Sequence, residues 1–431
     1  MTVYFHTLGC KVNQYETQAM RRLLEDAGYE TAEFAAGFAG AGDGVLVINS
    51  CTVTGESDRK LRQLLRRCRR DNPGAVIVLT GCMPQAFPDR AAALWDADIV
   101  LGNARRHTLP DTLAAYFANR ERLVDIPAHT REYEPLSIRE FQGRTRAFVK
   151  IQDGCNRFCT YCAIPYARGR VRSRDIADMK AELQNLAAAG YREVVLTGIN
   201  LTAFGQDTGE TLADAVEAAC EVEGLCRIRL GSLEPDHMTP ALLDRLAAQP
   251  KLCPQFHLSL QSGCDTTLAR MRRHYTTADY AALCEDLRRR FPGCAITTDI
   301  MVGFPGEMEE EFATSLEFAR RIAFARAHIF AYSRRPGTPA ASMPNQVPAA
   351  EKATRARRMS LVCEATRADY ETALLGSETS ILLETPYPDG FTDGHTPTYI
   401  PVRVKTEKAS GELIRVRLTG RDTDACTGEE I

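Results

Sequence analysis

Three cysteines stand close together near the middle of the chain, in the arrangement C-x3-C-x2-C. They are Cys155, Cys159 and Cys162, and they follow an apolar run over 148–152 and a turn at Gly154. Three thiolates can hold three irons of a [4Fe–4S] cluster and leave the fourth iron open. A closed zinc site needs a fourth protein ligand, and no further Cys or His is nearby in the sequence. The alternative is three structural thiols in a tight loop, but clustered cysteines in an exposed turn are poor core residues. The spacing therefore predicts a cluster with an open coordination position.

The residues around this triplet resemble the cluster loop of the radical S-adenosylmethionine (SAM) enzymes, including an aromatic residue, Tyr161, before the last cysteine. Asp153-Gly154-Cys155 and the segment 164–169 (IPYARG) resemble the methylthiotransferase branch of that family. The resemblance implies that SAM chelates the open iron through its amino and carboxylate groups.

Three further cysteines each follow a predicted β-strand in the N-terminal part of the chain. Cys10 follows a strand at 3–5, Cys51 one at 45–48 and Cys82 one at 75–79. Ligands of open α/β sheets bind beyond the carboxyl ends of the strands, so the three thiols should converge on one edge. A lone cysteine after a strand is usually structural, but three together predict a second three-thiolate site. The triplet resembles the N-terminal domain of methylthiotransferases, which implies an auxiliary [4Fe–4S] cluster.

The bulk composition sets limits on the rest. The chain has 431 residues, 44% of them hydrophobic, and a net charge of −3, so any RNA contact must come from local basic patches. No run is apolar and long enough to span a membrane. Fifteen cysteines without an export signal predict reduced thiols and metal ligands in the cytoplasm. The nine cysteines outside the two triplets are interpreted as small buried or incidental thiols.

Two α/β regions must position the thiols. Strands and helices alternate over 1–125, which predicts a doubly wound parallel sheet. Its helix at 59–70 has seven basic residues and no acid, which indicates either a solvated face or phosphate contact. Residues 120–145 are interpreted as an irregular linker. The alternation then repeats with six strands at 147–152, 193–197, 227–230, 256–260, 295–300 and 328–331. Six strands are too few for a closed (β/α)8 barrel, so an open partial (β/α)6 barrel is expected, with its chemistry in the loops after the strands.

The radical SAM resemblance assigns cofactor contacts to those loops. It implies that the turn containing Gly198 and Asn200 meets the SAM amino group, that Ser232 and Glu234 contact its ribose and methionine parts, and that Gln261 also binds SAM. The loop from Gly303 to Glu307 resembles the segment that packs against adenine. For Glu234 and Glu307 the alternative is an acid that caps a helix N-terminus.

Basic residues suggest where RNA would bind. Arg168 and Arg170 belong to a group of alternating arginines directly after the cluster loop. A helix is expected within 337–370, and beyond 372 the pattern becomes all-β. Residues 402–405 and 414–418 alternate apolar and basic residues around a turn at Gly411, which predicts a hairpin presenting Arg403, Lys405, Arg415 and Arg417. The segment resembles the TRAM domain, a small RNA-binding barrel, but residues 371–431 hold eleven acids and six Lys or Arg, a net charge of −5.

Together these features predict three domains: an auxiliary-cluster domain at 1–125, a radical SAM domain at 141–370 and a TRAM-like domain at 372–431. Residues 9–16 (GCKVNQYE) resemble the branch that acts on N6-threonylcarbamoyladenosine beside the tRNA anticodon. The resemblance implies conversion of that base to its 2-methylthio derivative, with two [4Fe–4S] clusters, SAM, a sulfur source and an electron donor such as a flavodoxin or ferredoxin. The alternatives are methylthiolation of isopentenyladenosine, radical chemistry on a ribosomal or other protein side chain, and a non-catalytic Fe–S or zinc RNA-binding scaffold.

Overall fold

The computed structural model describes residues 1–34, 42 and 44–431. The chain forms two compact units. Unit 1 comprises Met1–Gln142, Gln152–Arg174 and Ser333–Ala341, and unit 2 comprises Gly143–Ile151, Asp175–Tyr332 and Ser342–Ile431. The loop with Cys155, Cys159 and Cys162 thus belongs to the same unit as the N-terminal residues, which the sequence did not indicate. The three predicted domain ranges stay a prediction.

The strands are β1 (Thr2–Thr7), β2 (Glu30–Glu33), β3 (Val45–Ser50), β4 (Val76–Gly81), β5 (Ile99–Leu101), β6 (Leu123–Asp125), β7 (Arg146–Lys150), β8 (Gln152–Asp153), β9 (Arg172–Ser173), β10 (Glu193–Thr197), β11 (Arg227–Leu230), β12 (Ser232–Leu233), β13 (Gln255–Leu258), β14 (Ala295–Val302), β15 (Arg326–Ala331), β16 (Glu378–Pro386), β17 (Phe391–His395), β18 (Pro401–Lys405), β19 (Leu413–Arg421) and β20 (Cys426–Glu430).

The α-helices are α1 (Lys11–Asp26), α2 (Gly55–Asp71), α3 (Cys82–Ala86), α4 (Pro88–Ala92), α5 (Leu109–Asn119), α6 (Ile164–Arg168), α7 (Ile176–Ala188), α8 (Leu212–Cys220), α9 (Pro240–Ala247), α10 (Asp265–Met271), α11 (Thr277–Arg290), α12 (Glu309–Ile322), α13 (Pro339–Ser342) and α14 (Ala349–Ala373). Short 3-10 turns lie at Asn103–Thr108, Leu201–Ala203 and Pro235–His237.

Unit 1 is built on a parallel sheet in the order β2-β1-β3-β4-β5-β6. Its central strands β3 and β4 are buried along their whole length, because helices cover both faces. Leu61 and Leu65 of α2 pack on one face, and Met20 and Leu24 of α1 pack on the other. The predicted doubly wound sheet is confirmed. The edge strands β2 and β6 were not predicted, and β6 lies inside the segment interpreted as an irregular linker.

Unit 2 contains the predicted partial barrel. Its strands form two parallel sheets, β11-β10-β7 and β12-β13-β14-β15, which meet where the chain passes from β11 to β12. All six predicted barrel strands are present, and the helices α7, α8, α9, α11 and α12 lie between them along the chain. The carboxyl ends of these strands therefore share one rim, where the loops assigned to SAM begin.

Two neighbouring strands of the partial barrel, β10 and β11, carry a buried ionic group. Glu193 is fully buried and lies 3.2 Å from Arg227 and 2.9 Å from Arg229. Both arginines also donate to the C-terminal barrel: Arg227 to the carbonyl oxygen of Ser380 at 2.8 Å, and Arg229 to that of Pro397 at 2.8 Å. These strands of the partial barrel and the C-terminal barrel are thus joined by charge-assisted hydrogen bonds from buried arginines.

The C-terminal residues form a closed five-stranded barrel in the order β16-β17-β18-β20-β19. The all-β prediction and the alternation are confirmed, since Val402, Val404, Ile414 and Val416 fill its core. The predicted hairpin is wrong. β20 pairs with both β18 and β19 and so separates the two strands that the sequence places side by side. No helix in the described ranges has the length and apolar character needed to cross a membrane.

Candidate active site

Cys10, Cys51 and Cys82 lie at the carboxyl ends of β1, β3 and β4, three neighbouring strands. Cys10 and Cys82 donate to one acceptor, the side-chain oxygen of Asn13, at 3.7 and 3.9 Å. The lack of a side chain at Gly9 leaves space for the Cys51 sulfur, because a Cβ at residue 9 would stand 3.3 Å from that sulfur. The structure thus brings the three thiols of the N-terminal triplet to one edge, as the sequence predicted.

Asn13 is a member of this site that the sequence did not single out. Its amide nitrogen donates to the carbonyl oxygens of Leu8 and Ser50, each at 3.0 Å. Asn49 in turn donates to the carbonyl oxygen of Asn13 at 2.9 Å. These bonds fix the amide so that its oxygen faces the thiols. An asparagine three residues after a cysteine carries no signal of this role without the fold.

Burial determines the protonation of two thiols of this triplet, Cys51 and Cys82. It raises the pKa of the Cys82 thiol to about 12, although the nearby charge of Arg168 opposes the shift. Burial also raises the pKa of Cys51. Without a bound cation both thiols are protonated at neutral pH, so binding of iron would release protons.

The second triplet lies on a loop held by the short ribbon of β8 and β9. Cys155 donates its backbone N–H to the carbonyl oxygen of Gly169 at 3.0 Å, and Cys162 donates to that of Cys159 at 3.0 Å. Gly154 has a φ of 74°, and a Cβ there would stand 1.8 Å from the carbonyl oxygen of Arg170. Only glycine fits at this approach. The loop therefore turns tightly at Gly154, and in it Cys159 is buried and the other two thiols are half-buried.

Both triplets fit a [4Fe–4S] cluster by their donor chemistry. Each offers three thiols, which would bind three different irons and leave the fourth open. In the described part of the chain, no group of three or more His, Cys, Asp or Glu side chains is arranged to hold a single metal ion. The three ligands of a [4Fe–4S] cluster bind separate irons, so they need not converge on one ion.

The residues assigned to SAM lie at the carboxyl ends of the barrel strands in unit 2. Gly198 and Asn200 follow β10, Ser232 begins β12 with its side chain exposed, and Gln261 follows β13. Gln261 has a φ of 66°, and its backbone bridges Asp299 and Met301 through two hydrogen bonds of 2.8 Å. These positions share the rim that the sequence predicted.

The two acids among the assigned residues have protein partners. Glu234 forms an ion pair with Arg273. Glu307 is buried, and its carboxylate accepts from the Phe304 backbone at 3.1 Å and from Arg355 at 3.1 Å. Burial raises the pKa of Glu307. Glu307 thus closes the loop that begins at Gly303, and it does not cap a helix, because the N-cap residue of α12 is Met308 and its capping acid is Glu311.

A polar group on the strands was missed from the sequence. His257 of β13 lies 3.4 Å from the carboxylate of Asp299 on β14 and 3.0 Å from the hydroxyl of Thr297. The ring of His328 on β15 is 6.0 Å from that of His257. Polar residues at alternate positions of buried strands were the available signal, since a closed apolar core would exclude them.

The residues assigned to RNA differ in their surroundings. Arg168 is completely buried, so the prediction that it contacts RNA is wrong. Arg170 is exposed, with its guanidinium 4.6 Å from the centre of the Phe158 ring. Of the four barrel cations, Arg403 pairs with Asp393, both Arg415 and Arg417 pair with Glu378, and Lys405 is exposed.

Comparisons with known proteins agree with this architecture. Residues 149–319 match the Radical SAM superfamily, and residues 2–102 match a family described as Uncharacterized protein family UPF0004. The radical S-adenosylmethionine methyltransferase TsrM from Kitasatospora setae shares the fold, with a TM-score of 0.59 over 79% of this chain and 74% of that chain, at 16% identity.

Sequence relatives cover nearly the whole chain. It is 39% identical to the threonylcarbamoyladenosine tRNA methylthiotransferase MtaB of Bacillus subtilis, over 97% of this chain and 93% of the relative. It is 37% identical to the MtaB of Thermotoga maritima, over 93% and 90%. It is also 36% identical to the tRNA-2-methylthio-N(6)-dimethylallyladenosine synthase of Moorella thermoacetica, over 99% and 97%. With this similarity along its length, the chain belongs to the radical SAM methylthiotransferase family.

Proposed function

We propose that the protein converts N6-threonylcarbamoyladenosine next to the anticodon of tRNA to its 2-methylthio derivative. The reaction replaces the hydrogen at C2 of the adenine by a sulfur atom that carries a methyl group. The observation that carries the proposal is the pair of three-thiol sites within unit 1. A radical enzyme that only removes hydrogen needs one such site. The second site would supply the sulfur atom that is inserted.

The roles of the residues follow from their positions. Cys155, Cys159 and Cys162 would hold the cluster to which SAM binds, and Cys10, Cys51 and Cys82 the auxiliary cluster. The rim residues Gly198, Asn200, Ser232, Glu234, Gln261 and Gly303 would orient SAM, and Glu307 would keep its loop closed. When bound, the clusters and SAM supply the radical, the sulfur and the methyl group.

The choice of base rests on the relatives and on polarity. The relatives include enzymes named for threonylcarbamoyladenosine and for dimethylallyladenosine at 39% and 36% identity, so identity alone separates them weakly. The threonylcarbamoyl group has a carboxylate and a hydroxyl that need hydrogen-bond partners when buried, whereas an isopentenyl group has none. His257, Asp299 and His328 offer such partners on the barrel strands and favour the polar substrate.

The partners include tRNA, a source of sulfur and an electron donor such as a flavodoxin or ferredoxin, and the site of action is the cytoplasm. Arg170, Arg403, Lys405, Arg415 and Arg417 would contact the tRNA backbone. Four of these five cations have their side chains at the surface with aromatic or acidic neighbours, so their contribution depends on release from those neighbours.

The iron content tests the two-cluster part of the proposal. Two [4Fe–4S] clusters correspond to roughly eight irons per chain after anaerobic reconstitution. Replacement of Cys155, Cys159 and Cys162 by Ala should halve the iron and abolish cleavage of SAM to 5′-deoxyadenosine. Replacement of Cys10, Cys51 and Cys82 should also halve the iron but leave SAM cleavage intact and stop sulfur insertion. Cys226→Ala, at an exposed cysteine outside both triplets, is the control and should retain all the iron. Stoichiometric zinc, or full iron in either triple variant, would contradict the model of two sites.

Nucleoside analysis tests the substrate. The reconstituted protein is incubated with tRNA that carries either threonylcarbamoyladenosine or isopentenyladenosine, and the digested nucleosides are measured by mass spectrometry. A gain of one methylthio group on the first substrate alone is expected. Turnover only on the isopentenyl substrate, or on a ribosomal protein, would refute the assignment.

A further inference from the structure

Arg168 lies at the end of α6, six residues after the last cysteine of the radical cluster loop, yet it contacts the auxiliary triplet within unit 1. Its side chain is completely buried, and its Nε–H donates to the sulfur of Cys82 at 3.2 Å. The two terminal nitrogens bind the carboxylate of Glu16, one of them at 3.0 Å, and the oxygen of Asn13 at 2.7 Å. Asp153 lies 3.6 Å away.

This arrangement holds the guanidinium in one orientation. Glu16 is itself fully buried and also pairs with Arg106, which in turn pairs with Glu134 at 2.6 Å. Because Glu16 fixes the fork of Arg168 from the side away from the sulfur, the Nε–H has no freedom to turn from Cys82. Asn13, which accepts from both Cys10 and Cys82, is bound by the same guanidinium.

A buried cation that donates to a ligating sulfur has two effects on a cluster. It fixes the side-chain orientation of the ligand. It also stabilises negative charge on the sulfur, and because reduction adds an electron to the cluster, this favours the reduced form and raises the reduction potential. Arg106 is also a buried cation paired with Glu16, but it has no thiol contact among the described residues. A change at Arg106 therefore serves as the control for a change at Arg168.

We propose that Arg168 is a positioning residue of the auxiliary site, which orients Cys82 and raises the reduction potential of the cluster bound there. The inference rests on the auxiliary cluster of the proposed function. It assigns to Arg168 a role at the sulfur-supplying site and none at the tRNA backbone.

The test uses the full-length chain with Cys155, Cys159 and Cys162 replaced by Ala, so that only the auxiliary cluster contributes a signal. Into this background are introduced Arg168→Gln, Arg168→Lys and Arg106→Gln. Iron is counted after anaerobic reconstitution. The cluster is then reduced stepwise with dithionite, which supplies the electrons, at recorded solution potentials, and the one-electron-reduced form is followed by electron paramagnetic resonance.

Arg168→Gln should shift the midpoint to a more negative potential. A tenfold smaller equilibrium constant for the one-electron reduction corresponds to about 59 mV. Arg168→Lys, which keeps the cation but not the fork, should recover part of that shift. Arg106→Gln should shift the potential less than half as far, although it removes a similar buried charge.

Three results would overturn the inference: an unchanged potential in Arg168→Gln with iron retained, equal shifts in Arg168→Gln and Arg106→Gln, or no recovery by Lys. If Arg168→Gln binds no iron, a normal iron content and potential in Arg168→Lys would likewise refute the role of the fork. Absence of iron from the starting background, before Arg168 is changed, would instead refute the auxiliary cluster itself.

Discussion

Glu378 restrains two of the arginines through which the C-terminal barrel would contact tRNA. Its two carboxylate oxygens bind Arg415 and Arg417, each at 2.7 Å. The hydrogen bond from Arg417 lowers the pKa of Glu378, so the carboxylate is charged at neutral pH. Replacement by glutamine keeps the size of the side chain and removes the charge. We predict that Glu378→Gln strengthens tRNA binding, although it removes two ion pairs.

The size of the effect follows from counting charges. Arg403, Lys405, Arg415 and Arg417 face the two carboxylates of Asp393 and Glu378, which leaves two net positive charges on this surface. The substitution leaves three and frees two guanidinium groups. Each added phosphate contact steepens the plot of log affinity against log salt by about 0.7 to 0.9. If both arginines contact phosphate, the slope should become steeper by about 1.4 to 1.8.

The assay is equilibrium binding of unmodified tRNA at a series of potassium chloride concentrations, monitored by fluorescence anisotropy. Glu407→Gln is the matched control, because Glu407 is exposed in the same barrel and has no arginine partner within the described ranges of the chain. It makes the same change in net charge without freeing a cation. An unchanged slope in Glu378→Gln, or an equal change in both variants, would refute the reasoning that paired arginines are held back from RNA.

Three further predictions concern binding, stability and the cluster loop. Lys405→Ser should make the slope of log affinity against log salt shallower by about 0.7 to 0.9, because Lys405 is already exposed. An unchanged slope would show that Lys405 does not contact the RNA. Glu193→Gln should lower the free energy of unfolding by about 3–5 kcal/mol, because it leaves buried arginines without their carboxylate partner. Glu217→Gln, at a half-exposed position, should lower it by less than about 1 kcal/mol. Chemical denaturation measures both variants, and equal losses would contradict the prediction. Burial would raise the pKa of Glu193, but the neighbouring arginines outweigh this effect and lower the pKa. The stabilisation that the Glu193 carboxylate gives the fold is therefore present above the unfolded-state pKa and is lost as the pH falls through the folded-state pKa. This pH dependence should be absent in Glu193→Gln. Gly154→Ala should lose half of the bound iron, because the added Cβ would stand 1.8 Å from a carbonyl oxygen. Gly143→Ala is the control and should keep its iron, because Gly143 has a similar φ of 73° but no atom within 4 Å of an added Cβ. Iron retained in both variants would show that the loop tolerates the clash.

The strands and the cysteine positions could be predicted because their causes are local. A parallel strand covered on both faces must be apolar throughout, and β3 and β4 are buried at every residue. The edge strands β2 and β6 are short and partly exposed, and β2 is also mostly polar, so neither has the continuous apolar run of a central strand. The hairpin error has a topological cause. A closed barrel needs a strand between β18 and β19, and the residues that supply it, Cys426–Glu430, come last in the chain.

Arg168 shows the limit of charge patterns. It alternates with Arg170, Arg172 and Arg174, and such a run normally indicates a solvated face. In the structure only Arg170 of the four is exposed. The acid that makes burial of Arg168 possible, Glu16, is 152 residues earlier in the chain. No local pattern reveals that partner, whereas the cysteine spacing needs no partner to be recognised.

Ion pairs with acids also limit how many of the basic residues can bind tRNA phosphates. The basic helix looks like a phosphate-binding surface in the sequence, yet five of its seven cations, Arg59, Lys60, Arg67, Arg69 and Arg70, are paired with Glu56, Asp71 or Asp98. Most of the barrel cations are paired as well. Few of the cations on the basic helix and the barrel can therefore bind phosphate without first leaving an acid, so the salt dependence of tRNA binding should be shallower than the count of basic residues suggests. Phosphate contacts position a nucleic acid and do not specify its bases. We therefore expect changes at His257 or His328 to alter substrate choice more than changes at any single surface arginine.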